Sequence, residues 1–155
     1  MKKTIKQYEE LIERCKSYKD LEEKVLTTPI KDGGWSIREI IGHLYGWDKH
    51  NLLYMVPNMN HGADLPAFPN HDVQNLNVLK GLKGNSVFEI MDLFLENRKE
   101  LIQIISSVNP EDRFTIGGKK RAFTAESFLK IFVKHDAHHT IQINQYLANQ
   151  EGDNK

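Results

Sequence analysis

Three histidines of this sequence lie in two helical segments at spacings that suit a metal site. His43 lies in the segment IREIIGHLYGWDKH, and His135 and His139 lie in FVKHDAHHTIQI. Residues four apart on an α-helix lie on the same face, so His135 and His139 can offer two imidazoles to one ion. Ile40 and Trp47 occupy the apolar face around His43, which places this imidazole at the edge of a core. His43 is therefore the candidate for a third ligand.

The chemistry that fits these residues is divalent metal binding. Three neutral imidazoles without a thiolate suit zinc, nickel or another borderline metal of the first transition row. A site with three protein ligands keeps a position open for water or substrate, which is typical of catalytic sites. The competing interpretation is a set of core histidines, each satisfied by one hydrogen bond. Because two buried imidazoles without a shared partner would cost stability, the metal site at His43, His135 and His139 is favoured.

The other four histidines of the sequence are weaker candidates. His138 is rotated by about 100° from its neighbour in the predicted helix, so we expect it to face solvent. His50 follows the first candidate by two helical turns and is a reserve ligand. His61 and His71 lie in a long loop, where they either cover a site or are solvated.

Further residues near the histidines have structural interpretations beside functional ones. Asp48 and Asp136 could orient ligand imidazoles from behind, or they could be partly exposed charges. We expect Trp47 to belong to the core and not to a substrate platform, and Cys15 to be a small buried apolar residue. The sequence contains no glycine-rich phosphate loop and no convincing nucleophile with an oriented base, so catalytic residues stay unassigned.

Length, charge and cysteine content limit the class of protein. A chain of 155 residues fits one domain, predicted over residues 1–149 with a polar tail at 150–155. Basic and acidic residues number 21 each, which argues against nucleic acid or an anionic membrane surface as partner. One cysteine, Cys15, excludes an internal disulfide. The sequence contains neither a secretory signal nor an apolar stretch of about 20 residues, so we expect a cytoplasmic protein without a membrane span.

Apolar residues recur in steps of three and four through four segments, which predicts an all-α, four-helix bundle. The second and third of these helices have explicit starts. Ser36 with Glu39 and Ser86 with Glu89 both match the capping box, in which each side chain bonds the backbone of the other. We therefore expect helices to begin directly after both serines.

The remaining boundaries follow from breakers and caps. The first helix is predicted over residues 4–26, and the second is predicted to stop near Pro57. A long connection between helices two and three should contain a short helix capped by Asp72. The segment FTIGGKKRAF has two short β-prone stretches around a Gly-Gly pair, which predicts a small hairpin before the last helix. Thr124 is the expected cap of that helix.

Three sequence runs occur together in this chain: GGWSIREIIGHLYGWD at the second helix, FPNHD in the long connection, and FVKHDAHHTIQI in the last helix. Together they resemble the DinB-like superfamily of four-helix bundles, and the resemblance covers nearly the whole chain. In that family one histidine of the second helix and an H-x-x-x-H pair of the fourth bind a divalent metal. The resemblance therefore implies His43, His135 and His139, the same three residues.

The resemblance also implies several possible activities. Relatives include transferases that attach low-molecular-weight thiols such as bacillithiol or mycothiol to electrophiles, a thiol-dependent isomerase, and metal hydrolases. An enzyme that transfers such a thiol to a small-molecule substrate, or hydrolyses that substrate, is the leading hypothesis, with a role in the stress response implied by the family. Fold alone does not fix function. Two alternatives are a non-catalytic protein that sequesters metal or a small molecule, and a structural or dimerisation bundle without metal. Related bundles often pair, which implies a homodimer.

Overall fold

Four long helices pack against one another in the computed structural model, which describes the backbone of residues 1–153 and the side chains of residues 1–151. In chain order the helices are α1 (Lys2–Tyr18), α2 (Glu23–Thr27), α3 (Ile37–His50), α4 (His71–Gly81), α5 (Val87–Ile105) and α6 (Ala125–Asp153). Helix α3 packs against α5 and α1 packs against α6, and the two pairs meet through α1 with α5 and α3 with α6. The predicted all-α, four-helix bundle is confirmed. Within the described backbone, no helix has the length and apolar composition that crossing a bilayer requires.

Side-chain caps set the starts of three of the bundle helices. The hydroxyl of Ser36 accepts from the backbone N–H of Glu39 at 3.3 Å, and the Glu39 carboxylate accepts from the Ser36 N–H at 3.2 Å. Ser86 and Glu89 make the same pair of bonds at 3.1 and 3.0 Å. The Thr124 hydroxyl accepts from the N–H three residues further on at 3.2 Å. Both predicted capping boxes and the predicted cap of the last helix are confirmed.

The first helix is shorter than predicted. A continuous helix over residues 4–26 was expected from the apolar spacing, but α1 ends at Tyr18 and α2 follows after a turn. The break changes which side chain enters the core, because Leu26 is fully buried while Val25 is only partly so. The Tyr146 hydroxyl donates to the carbonyl of Val25 at 2.8 Å, which ties α2 to α6. Tertiary packing thus overrides the local helical pattern.

The long connection after α3 contains the predicted short helix, with a different cap. Helix α3 continues as a π-helical turn (Asn51–Met55) and a 3₁₀ turn (Val56–Asn58), so the helical stretch ends close to the predicted position. Helix α4 begins one residue after Asn70, whose side-chain oxygen accepts from the N–H of Val73 at 3.1 Å. Asp72 is therefore the second residue of the helix and not its cap, as predicted from sequence.

The predicted hairpin before the last helix is reduced to one bridge, in which Phe114 and Phe123 exchange backbone hydrogen bonds of 3.0 and 2.7 Å. The adjacent strand β2 (Thr115–Ile116) does not pair with the segment after the glycines. It pairs in parallel with β1 (Asp64–Leu65) from the long connection. This pairing joins two connections that are distant in sequence, which a local pattern does not encode.

The last helix is longer than the sequence suggested. The polar tail was predicted to begin at residue 150, but α6 continues to Asp153. Residues 154 and 155 of the predicted tail lie outside the described part of the chain.

Two glycines of α3 allow α4 to lie directly against its backbone. A Cβ atom on Gly46 would lie 2.5 Å from Cγ2 of Val78, and a Cβ on Gly42 would lie 3.1 Å from Cδ1 of Leu82. Only a residue without a side chain permits the approach at position 46. Because no residue of α4 is fully buried, the position of α4 depends on this contact with α3.

A buried arginine links the four bundle helices. Arg98 of α5 is fully buried, and its guanidinium donates two bonds to the Asp48 carboxylate on α3, at 2.6 and 3.1 Å. Two more, at 2.8 and 3.2 Å, go to Asp136 on α6, and another, at 3.1 Å, goes to the Tyr8 carbonyl on α1. The guanidinium also lies 3.7 Å from the centre of the Tyr8 ring. All five N–H donors of the guanidinium are therefore satisfied.

This cluster corrects the interpretation of the two aspartates. Asp48 and Asp136 were expected to orient imidazoles or to be partly exposed, but they are 1% and 6% exposed and both bind Arg98. Burial raises the pKa of Asp136 to about 6, and Arg98 acts in the opposite direction. Burial alone would lower the pKa of Arg98, but Asp136 and Asp48 raise it well above its ordinary value. Arg98 is therefore a permanent buried cation.

Replacement of this arginine should cost much of the stability of the fold. Arg98→Met leaves two carboxylates buried without a cation, so the free energy of unfolding in urea should fall by about 3–5 kcal/mol. The control Lys99→Met removes an exposed charge from the next position and should change stability by less than about 0.5 kcal/mol. Equal urea midpoints for the two variants would contradict the role assigned to Arg98.

Candidate metal centre

The structure brings the three predicted histidines together between α3 and α6. The Nε2 atom of His135 lies 3.1 Å from Nε2 of His43 and 3.2 Å from Nε2 of His139. One ring nitrogen from each residue lies within 4.8 Å of the other two. Four-residue spacing on α6 supplies the pair, as predicted, and the α3–α6 contact supplies the third imidazole.

An amide on α4 fixes the protonation of His43. The Asn75 side-chain oxygen accepts from the Trp47 indole N–H at 3.3 Å and lies 2.7 Å from Nδ1 of His43. An indole nitrogen only donates, so the atom it contacts is the amide oxygen and not the amide nitrogen. Nδ1 of His43 must therefore donate, and Nε2 presents its lone pair to the other two histidines.

A second amide does the same for His139. The Gln142 side-chain oxygen lies 2.9 Å from Nδ1 of His139, and the Gln142 nitrogen lies 3.5 Å from Nε2 of His138. In this arrangement Nδ1 of His139 donates to the oxygen, and Nε2 is again an unprotonated acceptor. Acceptors behind ligand imidazoles are a regular feature of metal-binding histidines, because they fix the tautomer and the ring orientation.

The three inner nitrogens fit a divalent cation. The Nε2 atoms of His43 and His139 carry no proton, so both are hydrogen-bond acceptors. A single proton on Nε2 of His135 could be donated fully to only one of them. Zinc bonds to imidazole nitrogens are about 2.0–2.1 Å long, which places two ligand nitrogens of a tetrahedral site about 3.3–3.4 Å apart. The observed separations of 3.1 and 3.2 Å are close to that value. An ion held by all three nitrogens would satisfy lone pairs that otherwise face one another.

Burial keeps the three imidazoles in the form that binds metal. Burial lowers the pKa of His43 to about 4, although the hydrogen bond to Asn75 acts the other way. Burial and then the neighbouring His139 lower the pKa of His135 to about 3. Burial also lowers the pKa of His139. All three side chains are therefore neutral at pH 7, as ligands must be.

The remaining histidines lie outside the cluster. His138 is exposed, as expected. The ring of His50 packs beside Trp47 and against Tyr54, with centroids 6.0 and 5.1 Å away, so His50 does not serve as a reserve member. In the long connection, Nδ1 of His61 accepts from a backbone N–H at 3.3 Å. The ring of His71 packs edge-on against that of Trp47, with centroids 5.1 Å apart, and both rings line a cavity.

The cluster opens into a cavity of about 560 Å³. His43 and His135 line it together with several aromatic side chains. Trp47 was expected to be core, and it is 5% exposed, but it also lines this cavity. A second cavity of about 320 Å³ is lined by His139 and Gln142 and shares no residue with the first. The three histidines of the cluster thus line two separate cavities.

Sequence reasoning missed the two amides that position the imidazoles. Gln142 follows His139 by three residues, and this spacing on a helix is a signal that could have identified it. Asn75 offered no such signal, because it reaches the cluster only through the packing of α4 on the glycines of α3. Arg98 was missed for the same reason, since its partners are 38 to 90 residues away in sequence.

Removal of the amide behind His43 should weaken metal binding. Asn75→Ala leaves the His43 tautomer unfixed, so zinc affinity measured by equilibrium dialysis should fall about 10- to 100-fold. Asn77→Ala is the matched control, since Asn77 is exposed on the same helix and makes no contact with the cluster. A similar affinity in both variants would contradict the positioning role of Asn75.

The lowered pKa values predict an unusual pH dependence of metal binding. Three ordinary imidazoles would lose about a thousandfold in zinc affinity between pH 7.5 and 5.5, because each must release a proton below about pH 6.5. With the pKa of His43 at about 4 and that of His135 at about 3, only His139 can contribute to proton competition in this range. The loss should therefore be less than about tenfold. Dialysis against zinc at both pH values measures it, and a thousandfold loss would refute the assignment.

Comparisons with known proteins identify relatives of this chain. The chain is 26% identical over 124 residues to the Bacillus subtilis (strain 168) protein named "Putative metal-dependent hydrolase YfiT", covering 77% of this chain and 68% of that one. It is 23% identical over 130 residues to a Bacillus licheniformis protein of the same description, covering 82% and 73%.

The fold also matches a solved structure. That structure is of YfiT from Bacillus subtilis, described as a probable metal-dependent hydrolase with an unusual four-helix bundle topology. The TM-score is 0.76 at 21% identity, over 97% of this chain and 87% of that one. The family model of the DinB superfamily matches residues 3–143. The chain therefore belongs to the DinB superfamily.

Proposed function

We propose that this protein is a metal-dependent hydrolase of small molecules that holds zinc or nickel at His43, His135 and His139. The proposal rests on the convergence of three imidazole nitrogens, with the rings of His43 and His139 fixed from behind by Asn75 and Gln142 respectively. Three protein ligands with acceptors behind them are typical of catalytic metal centres. The names of the two Bacillus relatives support the same reaction class.

The residues around the proposed metal centre would each have a separate role in hydrolysis. When bound, the ion supplies the Lewis acidity that polarises a carbonyl and lowers the pKa of water. The three imidazoles stay neutral at pH 7 and so are ready to bind without releasing protons. Asn75 and Gln142 hold two of the rings in place. Trp47 and Phe132 form part of an apolar wall that shields one side of a substrate from solvent.

Transfer of a low-molecular-weight thiol is the second candidate reaction. The observation that favours it is the separate cavity beside His139 and Gln142, lined also by Trp35, which gives a second reactant its own approach. The same centre would lower the pKa of a thiol as it lowers that of water. Thiol consumption in the presence of an electrophile distinguishes transfer from hydrolysis, and binding without turnover would indicate sequestration.

Cellular location and assembly remain proposals. Cys15 is buried and unpaired, and burial raises the pKa of its thiol to about 12. An unpaired thiol fits a reducing compartment, and we propose the cytoplasm. A homodimer and a role in the stress response stay predictions.

Histidine variants test the metal centre directly. His135→Ala or His139→Ala removes one of three ligands, so each should abolish tight metal binding with helical content by circular dichroism nearly unchanged. His138→Ala removes an exposed neighbour and should bind metal like the parent. Elemental mass spectrometry on untagged protein purified without chelator measures the metal content of each.

The parent protein should carry close to one equivalent of metal, and a chelator should lower its melting temperature, because an ion bound only to the native state stabilises it. Equal metal loss in all three variants would refute the facing assigned to His138. A metal-free parent that also fails to take up zinc or nickel would reduce the three histidines to core residues.

A further inference from the structure

The cavity beside the histidine cluster has an aromatic wall. Phe68 from the long connection stands between Trp47 on α3 and Phe132 on α6, with ring centroids 6.2 and 6.1 Å away. The Trp47 N–H is already bonded to Asn75, so the indole has no free donor to offer a ligand. This wall therefore offers dispersion and apolar contact to a ligand, and no hydrogen bonds.

Apolar surface at the mouth of this cavity is left uncovered. Ile131 of α6 lines the mouth and is 38% exposed, and Phe68 is only partly buried. The cavity volume of about 560 Å³ lies within the range of about 300–1,000 Å³ in which proteins bind small molecules. The rings are in contact with one another, so a ligand with a flat apolar body would cover this surface by packing on the ring faces and edges that the cavity exposes.

The charges around the cavity determine whether an anionic or a cationic ligand is favoured. Its lining contains four histidines and Lys134 but no aspartate or glutamate. The two buried carboxylates nearest in sequence to lining residues, Asp48 and Asp136, are bound to Arg98. A divalent ion on neutral imidazoles would add positive charge without a compensating anionic ligand. With such an ion bound, the potential in the cavity would favour anionic ligands and oppose cations, and Lys134 at the lining acts in the same direction.

We propose that this cavity binds a flat aromatic carboxylic acid derivative, with its ring among Trp47, Phe68 and Phe132 and its carboxyl-derived group toward His43 and His135. The aromatic wall is the reason to expect a ring in the ligand. The positive potential is the reason to expect a carboxylate, or another oxygen group on which negative charge develops, at the other end.

The chemical step and most of the preference for a negative charge rest on the proposed metal-dependent function, whereas ring binding does not. For a substrate that is an alkyl ester of an aromatic carboxylic acid, the bond between the acyl carbon and the leaving oxygen breaks, and the oxygen of water bonds to the acyl carbon. One proton of that water goes to the leaving oxygen, and the other is released as the acid ionises. The products are an alcohol and an aromatic carboxylate, so aromatic carboxylates are product analogues suited to binding experiments.

Three probes separate the apolar and the electrostatic contributions. By isothermal titration calorimetry of the protein as purified, 2-naphthoate should bind at least tenfold more tightly than acetate, which has the carboxylate without the ring. It should also bind at least tenfold more tightly than 2-naphthylmethylammonium, which has the ring with the opposite charge. Equal affinity of naphthoate and acetate, or tighter binding of the cation, would overturn the proposal.

A pair of variants on one helix locates the binding. Ile131→Glu places a carboxylate at the cavity mouth and should weaken naphthoate binding at least tenfold. Ile141→Glu makes the same change on α6, away from the cavity, at a residue that is 57% exposed, and should leave the affinity within twofold of the parent. Both positions are exposed, so both variants should keep the parent circular dichroism spectrum. Equal losses would overturn the location.

The results also separate this proposal from the proposed function. Naphthoate binding that depends on Ile131 in a protein that takes up no metal would support the cavity assignment and refute the hydrolase proposal. Stoichiometric metal with naphthoate binding no tighter than acetate would overturn the cavity assignment and leave the metal centre standing.

Discussion

The buried guanidinium of Arg98 holds the four helices of the bundle together. Two bidentate contacts hold carboxylates of α3 and α6 on the same cation, and the second of those carboxylates directly follows His135. The separation of α3 and α6 is therefore set by the width of one guanidinium between Asp48 and Asp136. Because His43 is on α3 and the other two histidines are on α6, the same contact sets the distances within the cluster. Removing the charge would leave buried carboxylates without compensation, so the fold and the site depend on one residue.

The proposed metal centre and the proposed ligand cavity meet at α4. This helix has no fully buried residue and stays in place through the contact that Gly42 and Gly46 of α3 permit. It brings Asn75 to the back of His43, and the same amide oxygen takes up the Trp47 N–H. The orientation of the imidazole and the hydrogen bond of the indole are thus both set by Asn75. One side chain therefore positions a ligand of the proposed metal centre and a part of the cavity wall.

The sequence predicted those features that depend on residues near one another in the chain. The capping boxes at Ser36 and Ser86 and the paired spacing of His135 and His139 are local, and the structure has all of them as expected. The end of α1 was wrong because burial of Leu26 outweighs the helical pattern. The partners of Arg98 and the amide of Asn75 could not be foreseen, since no local periodicity relates residues that meet only through helix packing. Asp48 and Asp136 were misjudged for the same reason, because a carboxylate in a sequence does not reveal its distant cation.

Whether three imidazole nitrogens bind one divalent ion can be measured by X-ray absorption at the edge of the metal carried by the purified protein. For zinc, we expect nitrogen and oxygen neighbours at about 2.0–2.1 Å, no sulfur, and the outer scattering of three imidazole rings. A sulfur neighbour at about 2.3 Å, scattering from fewer than three imidazoles, or no bound metal would contradict this expectation.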